Sequence, residues 1–396
     1  MNILYLTMQP ILNVTESNVH TDFLRKFRDE GHSVYLISPR ERRMNVPTCL
    51  REEHGIMNLG VKTLNVQKTN VIEKGLGQVS IEFLFKRALK KYYSEVKFDV
   101  IIYATPPITL SGAIKYIKGL NPKAITYLTL KDIFPQNAVD LGMLAKSGVK
   151  GLLYRYFRKK EKELYEISDR IGCMSPANVQ YLLKHNPDVS QDIVEICPNT
   201  FEAPKSNAIV KNKEVLVKYG LPTDIPIFFY GGNLGQPQGI PFLIKCLEAN
   251  KDRSDCHFLI IGNGFEFPRI SLWYKESCPK NVTLLERLPR NEYDSLAESC
   301  DVGLIFLDYR FTIPNYPSRL LNCLMQKKPI IACTDPNCDT GTIAEENGYG
   351  YWCPSNSVDA FSATVDKMLT SDIKQMGQQV QGTQHPHEVI VRCDNW

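Results

Sequence analysis

The sequence has no window of ~18 consecutive apolar residues, so no membrane-spanning helix is expected. Its start, MNILYLTMQPIL, lacks the basic segment and the long apolar segment of a secretory signal. It has 12 cysteines, but no CxxC pair and no regular spacing. Most of them, such as Cys173, Cys197 and Cys333, stand in apolar runs. That points to buried, reduced thiols rather than a disulfide framework. There is no Walker loop, no dinucleotide fingerprint with its downstream acid, and no Ser-His-Asp or metal constellation. His385 and His387 have the spacing of a metal pair, but two histidines alone in a polar tail do not make a site. A net charge of +4 is too small to imply a nucleic-acid surface.

What is present describes a globular chain. Its 396 residues, 43% hydrophobic and 23% charged, suit two α/β domains better than one. Residues 2–8 read as a buried strand, 15–31 as a helix stopped by Gly31, and 34–37 as a second strand. This β-α-β unit implies parallel strands with right-handed crossovers. The basic residues 40–51 read as a loop. Further helices are expected within 71–97 and at 110–117, with strands at 99–104 and 124–129. Residues 146–167 predict an amphipathic helix. Leu152, Leu153, Tyr156, Phe157 and Leu164 alternate there with Lys150, Arg155, Arg158, Lys159, Lys160 and Lys162. Such a helix suits an anionic membrane surface, and it equally suits an ordinary solvated face, because Glu161, Glu163 and Glu166 dilute the charge. A strand at 170–174, a helix opening at Ser175-Pro176 and a strand at 193–197 complete a first domain, 1–200.

Residues 201–224 are polar and proline-bearing and read as a linker. The alternation then restarts. Strands are expected at 225–230, 257–261, 282–285, 302–307, 329–333 and 349–353, each followed by a helix, which gives a second domain over 225–374. The fold class is therefore α/β, with two doubly wound Rossmann-like domains and a cleft between them as the preferred ligand site. After Lys374 no helical apolar period continues, and 375–396 reads as an atypical, poorly ordered tail.

The stretch 301–333 organises the second domain: a strand, a proline-punctuated loop, Ser318 in N-cap position, a helix and another strand. A helix start after a parallel strand suits an anion, through free amides and the helix dipole. Arg319 adds a guanidinium with the fork geometry for phosphate oxygens. Two more strand ends carry small residues, Gly231-Gly232-Asn233 and Gly262-Asn263-Gly264, where backbone can approach a diphosphate. In the first domain Asp132 stands at a strand end beside Phe134-Pro135. There it either orients or deprotonates an acceptor hydroxyl, or simply caps the next turn. His20 and His32 read as structural or solvent-facing.

The segments GHSVYLISP, KDIFPQNAVDLGML, DRIGCMSP, EICPN, FFYGGNLGQPQGIPFLI, FLIIGNGFE and YPSRLLNCLMQKKPIIACTDPN resemble the family 4 glycosyltransferases of the GT-B fold over about residues 1–372. The last string is most similar to the bacterial subgroup that builds O-antigen and capsule repeat units, including transferases of N-acetyl-L-fucosamine. The resemblance implies a retaining transferase with a UDP-sugar as co-substrate and no cofactor or bound metal. It also implies an undecaprenyl-diphosphate-linked acceptor at the inner face of the cytoplasmic membrane. The family's paired-glutamate signature falls here on Pro314 and Asn322, and its diphosphate-binding Arg and Lys fall on Asn233 and Gln238. Asn322 can still hydrogen-bond ribose hydroxyls, but as a neutral amide. The diphosphate is then left to the backbone of 231–233, Ser318 and Arg319. Two rival readings are a non-catalytic nucleotide-sugar binder, favoured by those departures, and a sugar-nucleotide 2-epimerase, disfavoured because the strand-end loops hold no histidine.

Overall fold

The computed structural model describes residues 1–66, 71–199, 201 and 211–382. The chain divides into two compact units, unit 1 from Met1 and unit 2 beginning after residue 202. Unit 1 holds an eight-stranded sheet. Its strands are β1 (Asn2–Leu6), β2 (Ser33–Glu41), β3 (Cys49–Glu53), β4 (Ile56–Thr63), β5 (Val100–Ala104), β6 (Ile125–Leu130), β7 (Arg170–Cys173) and β8 (Val194–Ile196), in the order β3-β4-β2-β1-β5-β6-β7-β8. All neighbours are parallel except β3 and β4. Strands such as β5, VIIYA, are buried at every residue, as a sheet covered by helices on both faces requires.

The β3–β4 hairpin corrects the reading of 40–51 as a loop. Glu53 pairs with Ile56 across a two-residue turn. His54 and Gly55 both take positive φ, 50° and 76°, which is the twist that a tight hairpin needs. Arg40 and Glu41 belong to β2 and are buried. Their charges are answered inside the unit: Arg40 donates to Ser38 and Asn58, and Glu41 pairs with Arg43.

Unit 2 holds six parallel strands: β9 (Ile227–Asn233), β10 (His257–Asn263), β11 (Val282–Leu285), β12 (Val302–Phe306), β13 (Ile330–Thr334) and β14 (Gly350–Pro354). Their order is β11-β10-β9-β12-β13-β14, the doubly wound dinucleotide-fold order, with its switch point between β9 and β12. One face is filled by Phe228, Tyr230, Phe258, Phe306 and Phe361. The other carries two smaller clusters, around Phe229 with Leu296 and around Ile305 with Leu320.

Two connections differ from expectation. Within 201–224, Lys213–Lys218 is a helix capped by the Asn212 side chain, with Leu216 fully buried. Beyond Lys374 the chain is helical over Ile373–Gly382, and Met376 and Val380 are buried against unit 2. Residues 383–396, with His385 and His387, lie outside the described residues. Among the described residues no cysteine is in a disulfide, and all are buried except Cys49, Cys197 and Cys278. No helix among them is long and apolar enough to cross a membrane, and no cluster of acidic, histidine or cysteine residues fits a metal ion.

Candidate functional site

Gly231, Gly232 and Asn233 are strand rather than loop. They end β9 and pair with Ile261, Gly262 and Asn263 of β10. Their small size answers to close packing. A side chain on Gly262 would strike the Gly232 carbonyl, and one on Gly264 would strike the Leu234 carbonyl. One on Gly231 would meet the Tyr293 hydroxyl and the Phe229 ring. Gly232 takes a φ of +125°, which only glycine adopts without strain. On the other edge of β9, the ladder to β12 holds only Val302↔Phe228 and Gly303↔Phe229. Beyond those two rungs the strands part, at the switch point.

Arg319 stands at this parting. Its guanidinium carbon lies 4.5 Å from the Tyr230 ring centroid. Its Nη1 is buried without a hydrogen-bond partner among the described residues. Burial pushes the Tyr230 hydroxyl above its usual value, and the Arg319 charge pulls it part of the way back. That hydroxyl donates to the Asn233 carbonyl at 2.7 Å, so Arg319, Tyr230 and the end of β9 are linked.

Ser318 does not act as the helix start suggested. It precedes Arg319–Met325 in position, but its backbone is helical and its side chain makes no cap bond. The Leu320 and Leu321 amides already donate to the Pro317 and Ser318 carbonyls. The helix is only seven residues long, so little free amide or dipole remains for an anion. Charge at this point comes from Arg319.

A cavity of about 430 Å³ brings together Gly231, Arg319 and Asn322. The helix Arg290–Ser299 supplies its other wall through Arg290, Tyr293, Asp294 and Glu298. Arg290 is exposed and pairs with Asp294 at 2.6 Å. Tyr293 is pushed up to about 12 by burial. Sequence reasoning missed this wall. The available signal was the strand order: the crossover from β11 to β12 lands on the same sheet face as the helix after β12. Gly262, Asn263 and Gly264 do not line this cavity; Asn263 instead donates to Glu286 at 2.7 Å.

The two positions where the resemblance expects cations are bonded to each other. Asn233 Nδ2 donates to Gln238 Oε1 at 3.1 Å, and the Gly235 amide donates to the same oxygen. A neutral amide pair closes this turn.

In unit 1, Asp132 follows β6. It does not cap the helix Gln136–Asp140, whose N-cap position is Pro135. Burial lifts its carboxyl to about 6, against a hydrogen bond with the Asn137 side chain. Its neighbour Lys131 is lowered to about 8, also by burial. His20 is not solvent-facing. It is held to the Tyr5 hydroxyl at 2.7 Å, and burial, with the Lys131 charge, lowers it well below the usual imidazole value.

Residues 211–384 match a family model described as glycosyl transferases group 1. The chain is 24% identical to the probable glycosyltransferase WbjE of Pseudomonas aeruginosa over 322 residues, covering 78% of this chain and 75% of that one. Among solved structures, WaaG, a glycosyltransferase involved in lipopolysaccharide biosynthesis, superposes with a TM-score of 0.67 at 13% identity, covering 98% of this chain and 97% of that one. An E. coli trehalose-6-phosphate protein bound with UDP-2-fluoro glucose superposes with a TM-score of 0.68 at 10% identity, covering 96% and 95%. At such identities these structures establish the fold, two Rossmann-like units of the GT-B type.

Proposed function

We propose that this transferase, whose residues 211–384 match the glycosyl transferases group 1, moves a sugar from a UDP-sugar to a lipid-linked oligosaccharide in O-antigen or capsule assembly. The observation that carries this reading is Arg319, a guanidinium whose buried Nη1 has no hydrogen-bond partner among the described residues, at the switch point of unit 2. Such a donor is preorganised for the charge that develops on a departing diphosphate. Gly231 and Asn322 share its cavity, so Asn322 takes the ribose hydroxyls. Asp132 of unit 1 orients the acceptor hydroxyl. Transfer proceeds with retention, the donor phosphate taking the acceptor proton as the sugar bond breaks. The donor is an N-acetylated deoxysugar nucleotide such as UDP-N-acetyl-L-fucosamine.

The neutral Asn233–Gln238 pair favours a second reading, a chain that binds the nucleotide sugar without transferring it. Incubation with a panel of labelled UDP-sugars and bacterial membrane lipid separates the two. Label in the lipid fraction supports transfer. Saturable UDP-sugar binding with no labelled lipid supports the binder, and an epimerised nucleotide sugar overturns both.

A further inference from the structure

The loop between β12 and Arg319, residues 307–318, is held to its neighbours at both ends. At its start Leu307 donates its amide to the Cys333 carbonyl at 3.0 Å, and Asp308 donates to the Pro237 carbonyl at 2.9 Å. Its later part is tied to the turn that follows β13. Asn337 Nδ2 donates to the Phe311 carbonyl at 2.8 Å, and the Cys338 thiol donates to the Asn315 carbonyl at 2.9 Å. Phe311 and Asn315 lie outside every helix and strand, so these side chains supply the partners that a ladder would otherwise give.

The turn is itself built around one carboxylate. Asp335 is fully buried at the end of β13, and its Oδ1 accepts the amides of Asn337 at 2.9 Å and Cys338 at 3.2 Å. Those are the two residues whose side chains reach the loop. Its Oδ2 is buried with no hydrogen-bond partner among the described residues, and burial lifts the carboxyl to about 6. An unanswered buried oxygen is destabilising, which marks a group kept for placement rather than for stability. Arg319 needs such placement. Where its free Nη1 points is set by the Tyr230 ring beneath it and by the backbone that delivers it, four residues beyond Asn315.

We propose that Asp335 and Asn337 are positioning residues for Arg319. The carboxylate sets the turn, the turn holds the loop through the Phe311 and Asn315 carbonyls, and the loop fixes where the guanidinium meets a diphosphate. Neither residue lines the Arg319 cavity, so each acts through the loop and not by contact. The proposal rests on Arg319 as the diphosphate-binding group.

The test is a double-mutant cycle read as the Kd for UDP, measured by titration calorimetry on the full chain. Asn337 is exposed, so Asn337→Ala removes the tie to Phe311 and should keep the wild-type melting temperature. It should weaken UDP binding by about tenfold, a coupling of the size found within one network. In an Arg319→Ala background, where Asn322 still meets the ribose, the same substitution should change the Kd by less than about twofold. Effects that add in full overturn the proposal, because the turn would then act on the site at large and not through Arg319. So does an Asn337→Ala chain that binds UDP as tightly as the wild type. A wild-type chain that binds no UDP overturns the nucleotide-binding reading itself, and this proposal with it.

Discussion

Arg319 lies over the Tyr230 ring at the gap between β9 and β12, with the guanidinium carbon 4.5 Å from the ring centroid. The ring holds the guanidinium in place while Nη1 keeps no hydrogen-bond partner among the described residues, so that donor stays available to an anion. Arg319→Ala should lower turnover by on the order of 10², with little change in melting temperature. Arg319→Lys keeps the charge but loses the planar fork, and should recover only part of the rate. Steady-state kinetics with the donor found in the UDP-sugar panel would measure both, and unchanged turnover in the alanine variant would remove Arg319 from catalysis.

Gly231 is a steric key to the same cavity. A methyl group there would collide with the Tyr293 hydroxyl and the Phe229 ring. Gly231→Ala should cost about 1–3 kcal/mol of stability, as overpacking does. Removing the hydroxyl in the double variant Gly231→Ala, Tyr293→Phe should return part of that loss. Urea melts of the two single variants and the double variant would give the coupling between the positions. A fully additive result would show that the two side chains do not meet.

Asp132 predicts a pH dependence. Burial raises its carboxyl from 3.8 to about 6 in the folded chain. The folded state therefore holds this proton more tightly than the unfolded state. The resulting stabilisation is complete below about pH 3.8 and is lost as the pH rises through about 6. Asp132→Asn should flatten the stability profile across that window. If the ionised carboxylate holds the acceptor hydroxyl, the transfer rate should rise through about pH 6, and the asparagine variant should lose that limb. Rates and melting temperatures across the pH range would report the two effects separately.

Most of the fold was legible because buried parallel strands are nearly continuous apolar runs and the helices between them keep their period. The β3–β4 hairpin escaped because its pieces are charged: CLREE shows no apolar run, and the two-residue turn at His54-Gly55 is a weak signal. The helix Ile373–Gly382 escaped because its packed face carries few large apolar residues, Ile373, Met376 and Val380. At the candidate site, the sequence marked Arg319, Asn322 and Gly231, which meet in one cavity. It misjudged Ser318, since whether a helix start offers free amides depends on backbone angles that the residue type does not set. It overlooked Tyr293 and Arg290 because their helix reaches the cavity through the order of the sheet, far from the loops in sequence.

The early end of the β9–β12 ladder has a consequence for the sheet itself. Residues 230–233 of a central strand run on one side without the partner that a central strand normally has. Unit 2 thus contains an edge in the middle of its sheet, at the end of β9 where Gly232 and Asn233 are exposed. A ligand seated there would complete the sheet rather than merely rest on it.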